Sequence, residues 1–153
     1  MNVRFLLSVA VLFVLSMLLG FVVHGLLLGA DYAKLVPNLF RTEQDSQAHL
    51  GWMLVHHALI ATGFTWIYRA GRNARPWLGQ GVRFGLAVAV LATIPNYLVY
   101  YVVQPMPFDL VVKQVVFTTI TTVIMGIVAA ALNRDPVRAA SHEPEEDLSP
   151  MPR

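Results

Sequence analysis

Charged residues divide the chain into four long apolar intervals, and the lengths of those intervals set the architecture. Residues 5–30 hold 26 consecutive uncharged positions, 46–68 hold 23, 84–108 hold 25 and 114–133 hold 20. A helix rising about 1.5 Å per residue needs roughly 20 apolar residues to cross a hydrocarbon core of about 30 Å, so each interval can span. The pattern predicts an all-α integral membrane bundle of four transmembrane helices over about 5–29, 47–68, 83–104 and 113–133, forming one domain over 1–133. Pro105 and Pro107 deny a helix its backbone donors and force a tight turn between the third and fourth spans, whereas residues 31–48 form a longer connection. Beyond Asn133 the prolines at 136, 144, 150 and 152 and the acidic run from Glu143 to Asp147 offer little apolar area to bury. Residues 134–153 therefore read as a disordered cytoplasmic tail.

Composition supports the membrane reading. With 56% hydrophobic and 13% charged residues and a mean hydropathy of +0.59, the chain has too few charges to cover a water-soluble domain of its size. The absence of cysteine removes disulfides, thiolate metal sites, covalently attached c-type haem and cysteine nucleophiles. Leu28-Gly29-Ala30 loosely resembles a signal-peptide cleavage site, but the apolar run after Arg4 is much longer than an h-region of about 7–15 residues. It also carries His24, which favours a retained helix. Arg4, Arg69, Arg72, Arg75, Arg83, Arg134 and Arg138 would flank one membrane face, and Lys34, Arg41 and Lys113 the other. Both termini are thereby expected in the cytoplasm. Trp52 and Tyr101 toward the outer face, and Trp66, Tyr68 and Trp77 toward the inner, fit those boundaries. The basic residues form no dense block, so no nucleic-acid partner is expected. Gly81, Gly85, Gly126 and Ala130, with Gly25 and Gly29, mark close helix approach, as packing within the bundle or as a dimer seam.

Polar residues in hydrocarbon are costly unless paired and so point to function. His24, His56, His57 and Asn96 all fall in the outer half of their spans. Helical spacing gathers Ser16, Gly20 and His24 on the first span, and His49 with His56 on the second. It gathers Thr93, Asn96, Tyr97, Tyr100 and Gln104 on the third, and Gln114, Thr118, Thr121 and Thr122 on the fourth. If those faces converge they line a polar cleft in the outer half, with Asp31 and Lys113 at its rim. The candidate ligand-binding or cofactor-binding residues are His24, His56, Asn96, Tyr100 and Gln104. Adjacent histidines diverge by about 100 degrees, so His56 is expected to face the interior and His57 to serve packing or face lipid. Pro95 removes one backbone bond and should kink the third span, where Asn96 either serves the freed groups or shapes a site. His24 with His56 is the pair of matching depth that a metal or non-covalent haem would need; interhelical packing and a proton-responsive site are the other readings. No Asp or Glu lies within a span, no metal site or catalytic residue is expected, and Gly79 to Gly85 follows no strand, so it is no nucleotide motif.

Three stretches, His24 to Tyr32, Trp77 to Gly85 and Tyr97 to Pro107, together resemble small uncharacterised bacterial membrane proteins of four helices, a likeness covering most of residues 1 to 132. The resemblance implies that fold and a multi-pass place in the bacterial cytoplasmic (inner) membrane, and no activity. The first expectation for function is an accessory or interaction subunit, partnered by another membrane protein or by itself within the bilayer. The alternative is a binder of a small molecule, lipid, quinone or haem in the outer-half cleft.

Overall fold

The computed structural model describes residues 3–36, 38–73 and 76–134. Among these every regular element is a helix. Four are long and apolar enough to cross a membrane: α1 (Val3–Leu27), α4 (Leu50–Gly71), α5 (Trp77–Val103) and α6 (Phe108–Leu132). Two short helices, α2 (Gly29–Ala33) and α3 (Glu43–Ala48), lie in the connection between α1 and α4. The expected tail from Asp135 onward falls outside the described residues.

The helix ends differ from the apolar windows because a charge limits the window without breaking the helix. Arg83 and Lys113 sit inside α5 and α6, which begin earlier, directly after Pro76 and Pro107. A proline there loses no helical bond, since the first donors of a helix have no partner in any case. The second span begins at Leu50, after α3, which Thr42 opens by accepting from the Asp45 backbone N–H at 3.4 Å.

Consecutive long helices run antiparallel. The start of α1 meets the end of α4 where the Arg69 guanidinium lies over the Phe5 ring at 5.7 Å. The end of α6 returns to α1 through Asn133, whose amide donates to the Ser8 hydroxyl at 3.2 Å. Arg72 closes the same end by donating to the Asn133 carbonyl at 2.5 Å. This is the terminal end of the bundle; the opposite, loop end carries residues 28–49 and 104–107.

The closest packing joins α5 to α6. A Cβ added at Gly85 would lie 2.5 Å from the Thr122 carbonyl oxygen, and one at Gly81 would lie 2.7 Å from Ile127 Cα. One at Gly126 would strike the Gly81 carbonyl oxygen. These three glycines thus work inside one chain, bringing two backbones together as small residues do between membrane helices. Gly25 and Gly29 take no part: a Cβ on Gly25 would meet Phe21 of its own helix, and one on Gly29 the His24 carbonyl oxygen.

Two core clusters result. Leu12, Ala61, Phe64, Tyr68, Met125, Ala129 and Ala130 fill the terminal half. Val23, Leu28, Met106, Leu110 and Val111 fill the loop end, covered by Tyr32, Leu35, Leu39 and Phe40 of the α1–α4 connection.

Two helices widen to π geometry between these clusters, α1 over Phe21–Leu27 and α5 over Ala89–Thr93. The second has a direct cause. Pro95 lacks the N–H that would serve the Leu91 carbonyl, and its ring crowds that carbonyl, so the preceding turn opens instead of breaking.

Candidate functional site

The space between the two core clusters is a cavity of about 730 Å³ walled by all four long helices. Its walls are mainly apolar toward the terminal end, where Leu19, Ile60, Phe64, Val88 and Met125 meet. Its polar groups gather nearer the loop end, at His24, His56, His57, Asn96 and Tyr97. Both π turns border it: His24 and Gly25 belong to the first, and Ala92 and Thr93 to the second. A π turn carries an extra residue per turn and rotates the side chains beyond it, a device frequent at functional sites.

His24 projects from the π turn of α1 and is held by the loop-end connection. Its Nδ1 lies 2.7 Å from the Tyr32 hydroxyl, and the Gln114 side-chain N–H donates to that same hydroxyl at 3.1 Å. The rings of His24 and Tyr32 stack at 5.9 Å. Burial pushes the Tyr32 phenol up to about 12, so it stays protonated at neutral pH. Gln114 is buried, and its Oε1 has no hydrogen-bond partner among the described residues.

Asp31, one residue before Tyr32, fixes this connection to α6. Its carboxylate accepts from Lys113 at 2.7 Å and from Lys34 at 2.8 Å. The two ammonium groups hold its carboxyl down at about 2. The rim placement expected for Asp31 and Lys113 is thus a direct ion pair, with Asp109 at 3.4 Å from the same lysine.

On α4 the two histidines diverge. His57 is 8% exposed, and its Nδ1 lies 3.0 Å from the Ser16 hydroxyl of α1. It therefore packs inside the bundle, against the lipid-facing option, and it also lines the cavity. His56, expected to face the interior, is instead the exposed one of the pair; it lines the same cavity and meets the His57 ring edge-on at 5.2 Å. His49 does not share this site; it stands at the junction of α3 and α4 with Nδ1 2.7 Å from the Asp45 carbonyl.

Of the five candidate residues, His24, His56 and Asn96 stand in the cavity wall. Tyr100 and Gln104 do not: Tyr100 is 43% exposed, and Gln104 follows the last turn of α5 in extended backbone. At 3.6 residues per turn both stay within about 20° of the face of Thr93, so they leave the wall by height and not by direction: Tyr97 is the last residue of α5 in the cavity wall, and Tyr100 and Gln104 lie beyond it toward the loop end. Tyr97, in the wall, pairs with Thr118 of α6 at 3.3 Å, and Thr121 and Thr122 line the cavity too. Tyr32 escapes a reading of the spans because it lies beyond α1; its place eight residues after His24 is the signal that could have found it. Among the described residues no three His, Asp or Glu side chains group as a metal site.

Phe84 of α5 stacks edge-on against Phe64 and Tyr68 of α4, at 5.1 and 5.4 Å, and closes these helices together in the terminal half. Farther along, His56 on α4 and Asn96 on α5 line the cavity and are also exposed. Phe21 and Gly25 of α1 and Met53 of α4 are likewise exposed and line the cavity, which therefore reaches the surface in the loop half of the bundle.

A family model described as "Protein of unknown function (DUF1761)" matches residues 7–130, so the chain belongs to that family. No curated protein and no solved structure matches it.

Proposed function

We propose that this member of the DUF1761 family is an integral protein of the bacterial cytoplasmic membrane that holds a small bilayer-soluble molecule, of the lipid or quinone kind, inside its helix bundle. The carrying observation is the cavity of about 730 Å³ with apolar walls at one end and a few polar side chains at the other. Ligand sites typically measure about 300–1,000 Å³ and combine mostly apolar walls with a few orienting polar groups. Its exposed lining residues lie on helices read as spanning, α1, α4 and α5, so the opening would face lipid in the proposed setting, which suits a molecule arriving from the bilayer. The exposed large side chains of α5, Leu91 at 83% and Val102 at 82%, accord with a hydrocarbon surrounding. The interaction-subunit expectation has no comparable support, because such exposed faces suit lipid as well as a partner helix.

Purification of the full chain in mild detergent, with solvent extraction, mass spectrometry and an absorption spectrum, tests the reading. A near-stoichiometric lipid or quinone that is lost when Ala92→Phe fills the cavity is expected. A Soret band would transfer the site to haem. A protein without any retained small molecule, co-purifying in fixed ratio with another membrane protein, would replace binding with the accessory role.

A further inference from the structure

The cavity carries two imidazole edges whose hydrogen-bonding roles follow from their other partners. Ser16 has one hydroxyl proton, and it lies 2.9 Å from the Phe13 carbonyl and 3.0 Å from Nδ1 of His57. A carbonyl can only accept, so both bonds form together when Ser16 donates to Phe13 and accepts from the His57 Nδ1–H. Nε2 of His57 then bears a lone pair. Among the described residues it has no hydrogen-bond partner, in a side chain only 8% exposed that borders the cavity.

The same reasoning gives His24 the opposite sense. The Gln114 side-chain N–H donates to the Tyr32 oxygen, so the phenolic proton is free to go to Nδ1 of His24 at 2.7 Å. His24 then carries its own proton on Nε2, and the cavity holds one N–H donor and one nitrogen acceptor.

Gly20 keeps the acceptor open. It lies on α1 in the cavity wall, and a Cβ there would stand 3.3 Å from Cε1 and 3.6 Å from Nε2 of His57. Any other residue would cover the edge that bears the lone pair.

We propose that the cavity recognises a hydroxylated head group, whose O–H donates to Nε2 of His57 and whose oxygen accepts from the Nε2–H of His24. This rests on the reading that the cavity takes a bilayer-soluble molecule. A hydroxyl satisfies both imidazoles. An ether, an ester or an oxidised quinone only accepts, and would cover the cavity-facing lone pair of His57 without giving it a donor. His56, exposed and edge-on to His57, stands beside the path of an arriving head group.

The test uses the full chain in proteoliposomes and three diazirine-bearing probes of equal chain length: a fatty alcohol, its methyl ether and the plain hydrocarbon. Labelled residues are located by mass spectrometry. In the unaltered protein the alcohol should label cavity residues such as Ile60 and Met125 about fivefold more than the ether, the factor that one net hydrogen bond supplies. Gly20→Ala should bring the two close to parity. His57→Phe, which removes the acceptor itself, should do the same. Equal labelling by alcohol and ether from the start, or a preference that survives both substitutions, overturns the hydroxyl inference and leaves the apolar cavity as proposed. No cavity labelling by any of the three overturns both.

Discussion

Three histidines, His24, His49 and His57, are each defined by the one neighbour at Nδ1. Ser16 holds His57, Tyr32 holds His24, and the Asp45 carbonyl holds His49 away from the cavity. Ser16→Ala should therefore lower the thermal midpoint in detergent by the equivalent of about 1 kcal/mol, since the His57 N–H loses its acceptor in a buried place. Thr121→Ala is the control, because that hydroxyl bonds only the Phe117 carbonyl of its own helix at 3.0 Å, and it should leave the midpoint unchanged. A larger loss from Thr121→Ala than from Ser16→Ala would refute the assignment. Asp31 makes a pH prediction at the same scale. Its folded carboxyl is depressed from 3.8 to about 2, so its contribution is complete above the ordinary value and is lost as the pH falls toward the folded one. Asp31 should add a decline of the midpoint below about pH 4, and Lys113→Met should shrink that acid limb. A limb of equal depth in the variant would show that other carboxylates cause it.

Among the elements, the spans and their partners were readable to different degrees. Uncharged run length alone located the four helices, because the cost of a charge in hydrocarbon imposes the same limit on any sequence. The starts at Trp77 and Phe108 were hidden behind Arg83 and Lys113, although Pro76 and Pro107 marked them. Depth counting grouped His24, His56 and Asn96, which do share one cavity wall. Helical spacing added Tyr100 and Gln104, which share the direction of that face but lie beyond the end of the wall, and neither pattern could see Tyr32, which reaches back from beyond its span. The glycine spacing left a choice between internal packing and a dimer seam; the structure uses Gly81, Gly85 and Gly126 internally. Gly126→Ala should accordingly cost about 1–3 kcal/mol, the usual penalty for forcing a methyl into filled space, because the new Cβ meets the backbone of α5 rather than a side chain that could turn aside. Gly63→Ala, with nothing within 4 Å of the added atom, should cost nothing. Thermal unfolding of both variants in one detergent checks the contrast, and equal midpoints would place the α5–α6 contact elsewhere.

For the whole molecule, the orientation of the bundle decides which leaflet meets the cavity. His24, His56 and Asn96 lie nearer the loop end, and the cavity's exposed lining residues fall in that same half. The proposed orientation follows from the seven basic residues expected around the terminal end against three around the loop end. With the terminal end in the cytoplasm, as we propose, that half of the cavity would lie in the outer leaflet, and a ligand would arrive from the outer side of the membrane. The internal ties agree with a chain built in this sense. Arg69 and Arg134 lie over Phe5 and Trp77 at the terminal end, where interfacial aromatic and basic residues are at home. At the loop end Lys113 is instead neutralised by Asp31, which reduces the positive charge exposed there. Fusions of alkaline phosphatase, active only outside the cytoplasm, should be active after Arg41 and inactive after Arg75, and a cytoplasm-active reporter should show the reverse. Activity after Arg75 with silence after Arg41 would turn the protein over, moving that half of the cavity to the inner leaflet and its ligand supply to the cytoplasmic side.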